Sequence, residues 1–149
     1  MTNKEDKRTE ALKLLNDIKK ISHVVELLQE QINEAYSALT NVTVKPKKVN
    51  VQTSPPKDLM ADQVTEVVEY QKELEGHQAE LIKKKKLALS VIKKMTIDNQ
   101  RLLLLKYFRG YTVGEVSDYI GFSTRQTDRL LKEAKEEFVE LYKIYKDGV

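Results

Sequence analysis

The chain should fold as an all-α protein, with a long N-terminal helical hairpin followed by a small three-helix domain. Three features of the sequence point there. Apolar residues from Ala11 to Leu39 recur alternately three and four positions apart. All three prolines fall between Pro46 and Pro56, so helix-breaking chemistry is confined to one place. Beyond Met95, two helix-start patterns follow each other closely, at Thr112 and at Ser123.

Composition narrows the possibilities. The 149 residues include 26 Lys and Arg, 23 Asp and Glu and no cysteine. Disulfides, zinc–thiolate sites and thiol catalysis are therefore excluded. The first residues, Met-Thr-Asn-Lys-Glu-Asp, contain no apolar stretch, and nothing later approaches the length of a membrane span. These features predict a soluble, intracellular protein that works without a membrane.

The first helix is expected over about Lys4 to Leu39. Ala11, Leu14, Ile18, Ile21, Val25, Leu28, Ile32, Ala35 and Leu39 form one seam at the spacing of a coiled coil. Leu15, Val24, Leu27 and Tyr36 widen that stripe, which predicts a helix touching more than one neighbour. From Thr40 to Lys57, alternating Val and Thr with prolines predict an extended loop. Its Lys45, Lys47 and Lys48 read as a solvated cluster. A second helix is expected from Asp58, acting as N-cap, to Met95. Its seam runs Val64, Val67, Gln71, Leu74, Gln78, Leu81, Lys85, Ala88, Ile92, Met95 and is weakened by three polar members. The pair predicts an antiparallel hairpin over residues 1–95 that self-associates, with a homodimer as the expected assembly. Lys83 to Lys86 and Lys93-Lys94 make its far end basic.

Residues 96–149 should form the second domain. Asn99 to Phe108 is an apolar helix closed by Arg109-Gly110. Thr112 and Glu115 then have capping-box spacing, with Tyr111 and Val116 placed as a hydrophobic staple. Ser123 and Gln126 repeat the box, and Gly121 supplies the backbone freedom to reverse the chain between the two helices. Val116, Ile120 and Phe122 should face inward against Leu130, Leu131 and Ala134, with the small Ser117 where the helices cross. Phe138, Leu141, Tyr142 and Tyr145 carry the apolar face onward, so the last helix should dock on the hairpin or a partner.

On the opposite side of that last helix, Arg125, Asp128, Arg129 and Lys132 are three or four residues apart and share a face. A helix of this kind can enter the major groove with its first turns. Arg125 and Arg129 are the candidates for base edges, because a guanidinium fork matches guanine O6 and N7. Thr124 suits a thymine methyl or a phosphate. Ser123, Thr112, Arg109 and Lys132 suit phosphates. Asp128 could accept from cytosine, or pair with Arg125 or Lys132. Residues from Thr96 onward hold nine basic and nine acidic side chains, so this face must act by placement and not by net charge. No nucleophile–base pair, phosphate-cradling Gly loop or metal-ligand cluster accompanies it. His23 and His77 only flank the helical seams. An enzyme, a cofactor and a metal are not expected.

The stretch from Gln100 to Ala134 resembles the region 4 helix-turn-helix of sigma-70-type factors. The likeness rests on the Leu-rich helix ending in Tyr107, the Thr112/Glu115 pair, Gly121, Ser123, Leu131 and Ala134. The order of long helices followed by this unit also resembles phage and prophage late-transcription regulators of the ArpU/RinA type. Thr127, where those sequences carry an apolar residue, and the acidic Asp128 depart from the pattern. The resemblance implies a sequence-specific regulator of phage or prophage genes that binds double-stranded DNA. It would reside in the cytoplasm of a bacterial host, on the nucleoid when bound. Two alternatives remain open: a DNA-packaging protein akin to a terminase small subunit, and a sigma-like factor docking on RNA polymerase.

Overall fold

The computed structural model describes residues 2–44 and 57–148, and the side chains of residues 5–39 and 60–148. The fold is all-α, with no strand among the described residues. The helices are α1 (Thr2–Val44), α2 (Lys57–Ile92), α3 (Ile97–Leu103), α4 (Val113–Ile120) and α5 (Thr124–Asp147). A π-helical turn, Leu104–Phe108, extends α3.

Two boundaries differ from expectation. α1 continues through Thr40 to Val44, because the Val-Thr alternation alone does not stop a helix that is already propagating. α2 begins at Lys57, so Asp58 lies in its first turn and not before it. The Lys45, Lys47 and Lys48 cluster lies outside the described residues.

The chain divides into two compact units, Met1–His23 with Glu80–Val149, and Val24–Ala79. In the second, Ile32, Val67 and Leu74 are buried, and Gln71 Nε2 donates to the Tyr36 hydroxyl at 3.3 Å. Its seam is thin. Val64, expected within it, is 51% exposed, and Val24, Leu27, Tyr36 and Val68 are also exposed. Residues 24–39 and 60–79 carry eight acids against one base, Lys72.

The first unit holds the main core and takes in more than residues 96–149. Ala11, Leu15 and Ile18 of α1, with Ala88, Val91 and Ile92 of α2, are essentially solvent-free. So are Leu103, Val116, Ala134, Phe138 and Val139. Phe138 and Tyr142 stack at 6.1 Å between ring centroids, one turn apart on α5. The Tyr142 hydroxyl donates to Glu10 Oε2 at 2.7 Å, which ties α5 to α1 as the apolar continuation of α5 predicts. Burial and the Glu10 carboxylate both raise the Tyr142 phenol above its ordinary range. Around this contact, Arg8 forms a fork on Glu136 with one arm at 2.8 Å, Lys7 pairs with Asp147, and Lys84 reaches Asp17 at 3.0 Å.

α3 starts without a cap from its own N-cap residue. Thr96 is extended there (φ −62°, ψ 147°), and its backbone N–H donates instead to Glu137 Oε1 of α5 at 2.9 Å. The same oxygen accepts from the Thr96 hydroxyl and from Asn99 Nδ2. A carboxylate on a helix N-terminus is stabilising both as an acceptor and through the helix dipole. Gln100 Nε2 donates to the Met95 carbonyl at 2.8 Å and fastens α3 to the end of the preceding helix. At the other end the widened turn closes with Arg109 N–H on Leu104 O at 2.9 Å.

One buried group is left without a partner. Thr127 is fully buried where α5 crosses α4, and its Oγ1 has no hydrogen-bond partner among the described residues. Ser117 across from it satisfies its own hydroxyl on Val113 O at 2.9 Å. A lone buried hydroxyl costs about 1–3 kcal/mol. Thr127→Val keeps the branched shape and removes that cost, so chemical denaturation should show a gain of about 1 kcal/mol. A loss would mean that the hydroxyl has a partner in solution.

Candidate nucleic-acid interface

The candidate face is built by α4, a three-residue turn and the first turns of α5. α4 begins with the expected capping box: Thr112 Oγ1 accepts from Glu115 N–H at 3.2 Å, and Glu115 Oε1 accepts from Thr112 N–H at 3.1 Å. It ends at Gly121, which is left-handed (φ 80°, ψ 25°). The Ser117 carbonyl receives both Gly121 N–H at 2.8 Å and Phe122 N–H at 3.2 Å. This is the double closure that a left-handed residue allows. Ser123 then starts α5 by accepting from Gln126 N–H at 3.1 Å.

The second box forms by half. The expectation had Gln126 occupied in the cap, but its side chain lies instead beside Arg125 and Arg129 in an open trough. Phe122 also departs from expectation. It is 50% exposed and lies over a groove with Ile120, Leu130 and Leu102, and does not enter the core. The reason is local: the residue after the left-handed glycine leaves the α4 axis, so helical spacing no longer governs where it points.

Five of the sequence-derived candidates converge. Ser123, Arg125, Asp128, Arg129 and Lys132 line the trough together with Gln126, all exposed. Thr124 is exposed at the start of the same helix. Asp128 pairs with Lys132 at 3.4 Å, both largely in water, so this contact is weak and easily exchanged for another. Among the described residues neither Arg125 nor Arg129 has an ion-pair or hydrogen-bond partner, and both forks face solvent.

Two candidates stand apart from the trough. The Thr112 oxygen is occupied by its cap. Arg109 lies in a different hollow, with Arg101, Leu104, Phe108 and Tyr119. There the Arg101 guanidinium sits over the Tyr119 ring, 5.2 Å from its centroid. Among the described residues, no group of three His, Asp or Glu could hold a metal ion, and no helix is long and apolar enough to cross a membrane.

The electrostatics follow the compact unit and not the last 54 residues alone. Residues 80–95 contribute six lysines against Glu80, and Met1–His23 contributes six basic residues against four acids. The unit carrying the trough therefore has a net charge of +7, although residues 96–149 are neutral. That positive unit carries the charge a polyanion needs.

Comparison with protein-family models, with curated proteins and with solved structures brings no match. The physical reading of the face thus stands by itself.

The turn geometry is directly testable. Gly121→Ala must place a side chain in left-handed backbone and should cost about 1–2 kcal/mol in denaturant unfolding. Gly76, in a helix with open space around it, is the control: Gly76→Ala should gain up to about 1 kcal/mol. Equal effects from both would contradict the left-handed turn.

Proposed function

We propose that this protein binds double-stranded DNA sequence-specifically and regulates transcription, with the first turns of α5 in the major groove. The observation that carries the reading is the pair of unpartnered, solvent-facing arginines, Arg125 and Arg129. They stand four residues apart on a capped helix that follows a short helix and a three-residue turn. A helix fits the width of the major groove, and a free guanidinium at its N-terminal end reaches base edges with little reorganisation. Thr124, Ser123 and Lys132 then lie where phosphates or a thymine methyl would be met. Asp128 either accepts from cytosine or stays with Lys132. The likeness of residues 100–134 to sigma-70 region 4 and to ArpU/RinA-type regulators supports a phage or prophage gene as the target. The protein works, on this reading, as a binding module without catalysis.

Affinity from one copy is expected to be modest, because only a few side chains reach the DNA. Linking two copies raises affinity without any new contact. The exposed Val24, Leu27, Tyr36, Val64 and Val68 support self-association through the long helices as a homodimer. Sedimentation at micromolar concentration should show a dimer. A strict monomer would remove this part of the reading and leave DNA binding intact.

The DNA reading is tested by selecting bound sequences from a random duplex pool and measuring variants on the winner. Arg125→Ala or Arg129→Ala should each weaken specific binding by about 1–3 kcal/mol and relax preference at one or two base pairs. Enrichment of no sequence at all, or variants that bind like the parent, would contradict the assignment.

A further inference from the structure

The basic side chains around the α1–α5 contact fall into two groups. Most have a carboxylate: Lys7 has Asp147, Arg8 has Glu136, Lys84 has Asp17, Lys132 has Asp128 and Lys143 has Glu140. Three do not. Lys19 of α1, Lys106 of the π-helical turn and Lys135 of α5 are all half-buried. Among the described residues none of them makes an ion pair. Lys106 lies close enough to Lys19 for their side-chain nitrogens to share a hydrogen bond, with Lys135 also in electrostatic range.

This gathering is unfavourable for the protein by itself. Burial and the two neighbouring ammonium groups push the Lys106 pKa down, and Asp128 offsets this only in part. Three segments far apart in sequence thus bring like charges together, and a rare wide turn presents the central one. Turns of this kind are frequent at functional sites. An anion between the three would turn mutual repulsion into attraction.

The position of the cluster identifies the anion. Arg125, Asp128, Lys132 and Lys135 are spaced three, four and three along α5, so Lys135 stands on the same stripe as the trough, about two turns beyond it. Lys106 senses Asp128 directly, which places the cluster at the edge of that stripe. A duplex lying along the first turns of α5 carries a phosphate row flanking the groove, and the cluster lies along its course.

We propose that Lys19, Lys106 and Lys135 form a clamp for a DNA backbone phosphate, through which α1 becomes part of the DNA interface. This rests on the DNA-binding reading above and extends it to a site away from the recognition turns. The clamp reads no bases. It sets the register of α5 on the duplex and couples the N-terminal helix to the bound state.

The test is the triple variant Lys19→Gln, Lys106→Met, Lys135→Gln, in which the methionine keeps the apolar stem of Lys106. Without DNA its thermal midpoint should rise above that of the parent, since the repulsion is gone. Anisotropy with a labelled duplex between ~50 and ~200 mM salt should show binding weakened about tenfold or more at the lower salt. The slope of log affinity against log salt should fall by roughly one to three. Base preference in the selection experiment should not change.

The outcomes separate the two readings. A parent protein that binds no duplex overturns both. A parent that binds, with a triple variant of equal slope and affinity, overturns the clamp alone. A parent that inorganic phosphate stabilises and the triple variant does not, with equal DNA binding by both, assigns the site to a small anion and also overturns the clamp.

Discussion

The continuity of α5 is the constraint on which the rest of the structure depends. Its 24 residues run without a break from Ser123 to Gly148, so the position of Arg125 is fixed by packing several turns away. Phe138, Val139 and Tyr142 are buried against the N-terminal helices, and Leu131 and Ala134 against the small ones. Glu137, on the same helix, holds the start of α3 through three hydrogen bonds. α3 and its π-helical turn are thereby set relative to α5, and α4 follows through the Val116–Ser117–Thr127 crossing. A recognition face gains accuracy when it sits on a rigid element supported in this way. Truncating Phe138 would therefore disturb the arginines as well as the core.

Stability and proposed function pull in opposite directions at two places. The lysine cluster gathers like charge at a half-buried site, and the distal unit Val24–Ala79 leaves a row of large apolar residues in water. Each is costly in an isolated chain and favourable once a partner arrives, a phosphate in one case and a second copy in the other. The charge distribution has the same character. The unit carrying the trough is +7, while the distal unit is −4. An acidic distal part is repelled by DNA and leaves the basic end as the one that approaches it.

Much of this was legible in the sequence, for identifiable reasons. Helix existence follows from apolar periodicity, and the seam from Ala11 to Ile18 is buried as spacing predicts. The caps at Thr112 and Ser123 and the left-handed Gly121 are local signals, carried by residues three or four apart. The shared face of Arg125, Asp128, Arg129 and Lys132 needs only helical geometry. Contacts across long sequence separations were not legible. Glu137 capping α3, Tyr142 reaching Glu10, and Lys19 meeting Lys106 are set by tertiary packing, and no spacing rule announces them. The neutral charge counted over residues 96–149 misled for the same reason, because the compact unit draws its lysines from the ends of α1 and α2. Phe122 was misplaced because the left-handed glycine before it breaks the helical period. Val64 was misplaced because the apolar seam begins one turn later than its pattern.

The central claim is that the first turns of α5 are the DNA-contacting surface. The most direct measurement is backbone amide chemical-shift mapping as a short duplex is added at low salt. The account predicts shifts concentrated from Ser123 to Lys132, with residues 24–39 and 60–79 unmoved. Shifts confined to those distal residues, or no shifts at all with duplex in excess, would contradict it.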